Sequence, residues 1–351
     1  MTEQRVAEEL PDPPKHRVRS IDLARALGVS RTAVSFVLSN SPNASKISEA
    51  NQERIRRLAR AWNYIPNHAA TVLRRQRSGT VGVVFADLKH GWAERILQNM
   101  FPVLEAEECV ALVSMSMWDE HRERAEIHSM LRRQVDAIAV VAPTIGNLDV
   151  YEEVIEGGTP LVFMGDSLAE SDDFHRVLWD EAAAVNAAMD HLTSAGRQSI
   201  CLVESDYPSL LQRERREAFR AATNRAGIEP SCSILENGRA LPVEGSLTAF
   251  LARTESPPGA FLATNDALAL DVLEYLDHAG IRVPQEIAVM GLGDLPTSSL
   301  PRVSLSTVRP PTERIGRETA ALLVKLSEAP DDGPVHIHLP STDVIVRDTT
   351  A

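Results

Sequence analysis

The chain has 351 residues, 44% of them apolar and 24% charged, enough for two or three domains with sizeable cores. No apolar run approaches the roughly 20 residues of a membrane span, and the N-terminus MTEQRVAEELPDPPKHR has no apolar signal core, so neither membrane insertion nor export is expected. Cys109, Cys201 and Cys232 are odd in number and far apart, which predicts no disulfide framework and a cytoplasmic setting.

The net charge of −13 conceals a sharp asymmetry. Residues 15–77 carry thirteen Lys/Arg against Asp22, Glu49 and Glu53, a net of +10, whereas residues 78–351 carry −20. A compact basic head on an acidic body is the pattern of a nucleic-acid contact confined to one module; a solvated basic surface is the alternative reading. Residues 1–16, mixed in charge and proline-containing, are expected to be a disordered extension.

In chain order, Ser20 is expected to cap a first helix, IDLARAL, with Asp22 in its first turn. Gly28 supplies a tight turn and Ser30 caps a second helix over about 31–38. There, Ala33, Val34, Val37 and Leu38 make an apolar stripe that leaves Arg31, Thr32, Ser35 and Phe36 on the opposite side. A third helix begins near Ser48, with Ile55, Leu58, Ala59 and Trp62 as its seam. Helix, glycine turn, helix and packing helix form a helix-turn-helix. The free face of its second helix then meets the major groove: Arg31 fits a guanine edge, Thr32 a base or phosphate, Ser35 a phosphate and Phe36 a thymine methyl. Phe36 could instead fold onto the third helix.

From Thr80 onward, apolar runs alternate with helical patterns. The runs TVGVVFA, VALVSMS, AIAVVAP, PLVFMGD, SICLVES, GAFLATN and IAVMGLG read as buried parallel strands, and 92–107, 121–133, 181–195 and 211–226 as helices. About 270 residues is long for one such sheet, so two lobes are expected, with a break near 176–184. Strand C-termini would face a cleft. No phosphate-binding glycine loop, HExxH or GxSxG is present, and the ten histidines are scattered, so neither an enzyme nor a metal or other cofactor is expected.

The stretch SIDLARALGVSRTAVSFVLSN, continued by ISEANQERIRRLARAWNYIPNHAATVLRRQRSGTVGVVFAD, resembles the lactose-repressor/galactose-repressor family of bacterial transcriptional regulators. The segments VDAIAVVAP, PLVFMGD, TNDALALDVLEYLDHAGIRVPQEIAVMGLGD and PRVSLSTVRPPTERIG extend the resemblance across residues 17–350. It implies an α/β chain: an all-α helix-turn-helix head at 17–66, a hinge helix at 67–78, and a two-lobed periplasmic-binding-protein-like body at 79–351. Lobe one is expected at 79–177 and 309–332, and lobe two at 178–308 and 333–351. It further implies a homodimer on palindromic operator DNA, with Ser30, Arg31, Thr32, Ser35, Phe36, Asn67, Ala70, Leu73 and Arg74 at the DNA and Leu73 wedged between base steps. In the cleft it implies a small-molecule effector, a sugar or other metabolite, held by Trp92, Asp166, Arg215, Asn265 and Asp294. Two departures stand out. Phe36 replaces an arginine that helps read bases, and Gly293 replaces the first acid of a G-[aromatic]-D-D motif. Asp294 could substitute for that acid, the ligand could lack polyol character, or a protein partner could control a vestigial cleft. A solute-binding protein is the remaining alternative.

Overall fold

The structure, a computed structural model, describes residues 11–39, 41–65, 77–88, 91–141, 145–165, 174–205, 210–228, 232–236, 243–254, 256–329, 333–339 and 343–351. The chain divides into two compact units, 1–78 and 79–351.

The first unit is helical: α1 (Ser20–Leu27), α2 (Arg31–Leu38) and α3 (Glu49–Ala61). The first helix starts one residue earlier than expected. Arg19 occupies the cap position because the Asp22 carboxylate accepts its N–H at 2.8 Å, so Ser20 is already helical. Gly28 ends α1 with φ +66°, a left-handed conformation that costs a glycine little. The three helices close over Leu23, Val34, Val37, Ile55 and Leu58, all fully buried, with Trp62 at the rim. Burying each such side chain contributes about 1.5–3 kcal/mol, which sustains so small a core. Residues 11–16, within the expected extension, touch the head: Trp62 Nε1 donates to the Pro11 carbonyl at 2.8 Å, and His16 bonds Asp22. A largely buried indole N–H needs an acceptor, and the proline-containing segment provides one.

The second unit contains two six-stranded sheets of the same winding. Sheet one runs β2 (Val110–Met115), β1 (Thr80–Phe85), β3 (Ala137–Val141), β4 (Leu161–Met164), β5 (His175–Trp179) and β11 (His336–Leu339), all parallel. Sheet two runs β7 (Cys232–Glu236), β6 (Ile200–Ser205), β8 (Ala260–Ala263), β9 (Ala288–Leu292), β10 (Ser306–Arg309) and β12 (Asp343–Ile345), with only β12 antiparallel. Central strands such as AIAVV are buried along their whole length, as sheets covered on both faces require.

Helices α4 (Trp92–Ala106), α5 (Glu120–Arg132), α6 (Leu148–Glu156) and α11 (Thr312–Glu328) cover sheet one. Helices α7 (Glu181–Ser194), α8 (Leu210–Ala226), α9 (Val243–Leu251) and α10 (Asp266–His278) belong to sheet two. α4 and α11 approach so closely that a Cβ on Gly316 would stand 2.4 Å from the Ile96 carbonyl.

Two expectations change. The passage from lobe one to lobe two lies at Asp180, within the expected break at 176–184, but residues 336–339 belong to lobe one and not to lobe two, as the 333–351 boundary had it. The reason is backbone pairing: Ile337 is in register with Val177 and Leu339 with Trp179, which keeps residues 336–339 in lobe one. The cysteine reading also changes. Cys201 is disulfide-bonded, and the residue in register with it on the adjacent parallel strand is Cys232. Sequence separation hides a pair that the sheet brings side by side.

Candidate nucleic-acid interface and ligand cleft

On α2, the Ser30 hydroxyl accepts the Ala33 N–H at 3.0 Å and fixes where the helix begins. From that start, the helical period buries Val34 and Val37 and exposes Arg31, Thr32 and Ser35 together. Phe36 is half-buried and is not a member of the head's core cluster. Arg31 and Ser35 also line a shallow concavity with Arg17, Arg19, Arg25 and Tyr64. Among the described residues, Arg17, Arg25 and Arg31 make no ion pair, so their charge is available to an anionic partner. No motif marks Arg17 and Arg19, for which the basic run KHRVRS just before α1 is the signal the sequence offers; Tyr64 lies in the NYIPN stretch of the family resemblance. Asn67, Ala70, Leu73 and Arg74 lie outside the described residues.

In the second unit, the strand C-termini of both sheets open on one cleft enclosing about 880 Å³, its solvent mouth included. Val141, Met164 and Trp179 come from the ends of β3, β4 and β5, Trp92 from the start of α4, and Trp118 from the loop after β2. Opposite them stand Leu292, Gly293 and Val308 at the ends of β9 and β10, with Asn265 ahead of α10. Three of the chain's four tryptophans therefore share this space.

The polar groups are tightly committed. Arg215, on α8, donates from Nε to Glu181 Oε2 at 2.7 Å, from Nη2 to Glu181 Oε1 at 2.9 Å and from Nη1 to the Thr264 carbonyl at 2.7 Å. Glu181 is 3% exposed and also accepts the Trp179 indole N–H, while Trp118 donates its indole N–H to buried Asp87. Asn265 uses its Oδ1 to cap α10, accepting from Leu268 N at 2.9 Å.

Trp92, Arg215 and Asn265, all expected at an effector, thus meet in the cleft. Asp294 does not line it. Its carboxylate is 4% exposed and is held by Arg309 Nε and Arg347 Nη2, each at 2.6 Å, so it ties the β9–β10 region to the C-terminal segment. Burial alone would push this carboxyl up, but the hydrogen bonds from Arg347 and Arg309 hold it below the usual aspartate range. Asp266 behaves oppositely. Burial pushes it up, although Ser298, Thr307 and the Leu295 N–H all bond to it. Asp166 lies outside the described residues. Trp118, Trp179, Glu181 and Gln212 also line the cleft, and no sequence motif marks them.

A basic helix-turn-helix unit, together with a two-sheet unit whose strand ends enclose a cleft, defines the class of ligand-responsive DNA-binding proteins. In comparison with known proteins, residues 21–67 match the lacI family of bacterial regulatory proteins, and residues 189–350 match the periplasmic binding protein-like domain. The chain carries a lacI-family head and a periplasmic-binding-protein-like body. It is 27% identical over 311 residues to the HTH-type transcriptional regulator PtxS of Pseudomonas plecoglossicida, a match that spans 88% of this chain and 89% of that one. Its fold is similar to the lac repressor dimer bound to operator and the anti-inducer ONPF, with a TM-score of 0.82, 22% identity and coverage of 95% and 99%. It is also similar to the transcriptional regulator CelR–cellobiose complex, with a TM-score of 0.69, 23% identity and coverage of 95% and 100%.

Proposed function

We infer that this chain is a sequence-specific DNA-binding transcriptional regulator, a repressor by default, whose operator affinity is set by a small molecule in the cleft. The observation that carries this reading is the solvent-facing Arg31–Thr32–Ser35 surface of a helix whose other side is locked into the head core, within a segment matching the lacI family. Arg31 supplies base choice, and Ser35 with Arg17 and Arg25 supplies salt-dependent phosphate affinity. Two copies on a near-palindromic site place two such helices one helical turn of DNA, or a multiple of it, apart. Asn67, Ala70, Leu73 and Arg74 complete the contact in the adjacent minor groove, with Leu73 as the apolar wedge. Trp92, Arg215 and Asn265 contact the effector, which shifts the population of the DNA-competent arrangement.

The test is selection of the full chain on a randomised duplex library, followed by titration of the recovered site. The reading expects an inverted-repeat site bound at least a thousandfold more tightly than random duplex. Leu73→Ala should weaken that site more than random DNA. Equal affinity for all duplexes would refute the reading.

A further inference from the structure

The cleft's side chains have an uneven supply of hydrogen-bonding groups. Both oxygens of Glu181 are occupied by Arg215 and Trp179, and Asn265 Oδ1 is occupied by its helix cap. Asp294 faces away into two arginines, and Gly293, where an acid would reach a ligand, has no side chain. Among the described lining residues, the side-chain acceptors that take no bond at all are Gln212 Oε1, which is buried, and the Thr312 hydroxyl. Donors are more plentiful: the Trp92 indole N–H, the Asn265 amide and the guanidinium N–H groups that Arg215 does not spend on Glu181 and Thr264.

A sugar brings a hydroxyl donor on nearly every carbon and needs an acceptor for each one buried. The described side chains of the cleft offer few acceptors for that demand. It also carries no unpaired charge on its described lining, since the Arg215 fork is neutralised by Glu181. The walls are flat and apolar. Trp118 and Trp179 have their indole N–H groups tied to Asp87 and Glu181, so they present carbon surface beside Val141, Met164 and Leu211.

We propose, building on the regulator reading above, that the effector is an uncharged, planar ring compound rich in hydrogen-bond acceptors and carrying at most two N–H or O–H donors, one of which meets Gln212 Oε1. Ring faces stack on the tryptophans, ring carbonyl or ether oxygens accept from Asn265, Trp92 and Arg215, and Gln212 Oε1 reads the ligand's donor. Gln212 is thus a specificity-determining residue. Its Oε1 takes no hydrogen bond from the chain and is free to accept from a ligand.

Quinolin-2-one and coumarin test this, because they share shape and carbonyl and differ by a ring N–H in place of a ring oxygen. Calorimetric titration of the full chain is expected to show saturable binding of both, with quinolin-2-one about tenfold tighter, the worth of one buried hydrogen bond. Gln212→Leu removes that preference, so that the two compounds bind within about twofold of each other. Trp118→Ala, a half-exposed loop position, weakens both compounds about tenfold. Glucose, ribose and cellobiose give no saturable heat. Binding of any of these sugars, no binding of either ring compound, or a quinolin-2-one preference that survives Gln212→Leu would each overturn the proposal. Operator selection on the same preparation separates these failures from failure of the regulator reading: an inverted-repeat site can be recovered whichever ligand class binds.

Discussion

The guanidinium of Arg215 and the carboxylate of Glu181 meet in a two-point fork across α7 and α8, at 2.7 and 2.9 Å, on the wall of the cleft. Both partners are largely shielded, at 14% and 2% side-chain exposure, so neither charge can be removed without stranding the other. Arg215→Ala is expected to cost about 3 kcal/mol in urea unfolding of the full chain. Arg215→Lys should recover little of it, because an ammonium cannot supply the planar fork. Loss of less than about 1 kcal/mol on Arg215→Ala would show that the pair is solvated.

Trp62 and Pro11 join the head to its N-terminal segment through one hydrogen bond. Trp62→Phe keeps the buried ring and removes the donor, at an expected cost of about 1 kcal/mol. Deleting residues 1–14 removes the acceptor and should cost a similar amount in the head. Its effect on operator affinity should be small, because the DNA-facing Arg31, Thr32 and Ser35 are untouched. Proteolysis of the 11–16 segment reports the contact: faster cleavage in Trp62→Phe is the expected result.

Asp294 gives the body an acid-sensitive joint. Its folded-state pKa lies below the ordinary aspartate value of 3.8, so its stabilisation is present above that value and is lost as pH falls through the depressed one. Asp294→Asn removes this dependence. It should cost about 2 kcal/mol near neutrality, less than a fully buried pair because Arg309 is half-exposed. Unfolding free energies of wild type and variant should converge on acidification.

Asp266 has the opposite sign. Burial raises its folded pKa, so its contribution is fully present below 3.8 and is lost as pH rises through the folded value. Asp266→Asn should flatten this fall with rising pH and keep the bonds to Ser298, Thr307 and Leu295 by reorienting the amide. Asp266→Ala strands all three donors and should cost about 3 kcal/mol. Equal losses from the two variants would contradict the hydrogen-bonded account.

Elements are legible in the amino-acid sequence to the extent that burial marks them. AIAVV and IAVMGLG are apolar throughout because both faces of the sheet are covered, so the central strands stand out. HIHL and DVI at the sheet edges are only partly buried and carry little apolar signal, so the assignment of 336–339 to lobe one leaves no mark. The head is legible down to the Arg31–Thr32–Ser35 face because a single helix period sorts its residues. The cleft is only partly legible because it is assembled from strand ends far apart in the chain. Trp92, Arg215 and Asn265 come through family resemblance, whereas Trp118 and Trp179 do not. Both of these stand directly before an aspartate, Asp119 and Asp180, that caps the next helix, a local signal for a ring at a strand–helix junction.

Arg31 is the residue on which the DNA-reading role turns, and its effect on base selection is the most direct test. Anisotropy titrations of wild type and Arg31→Ala against the selected operator, and against duplexes altered at each half-site position, should be run over a range of salt. The wild type is predicted to lose about 1–3 kcal/mol at one base pair per half-site, and Arg31→Ala no longer to distinguish that base pair. Binding to random duplex should keep its steep salt dependence, through Arg17 and Arg25. Unchanged selectivity at every position in Arg31→Ala would contradict this role.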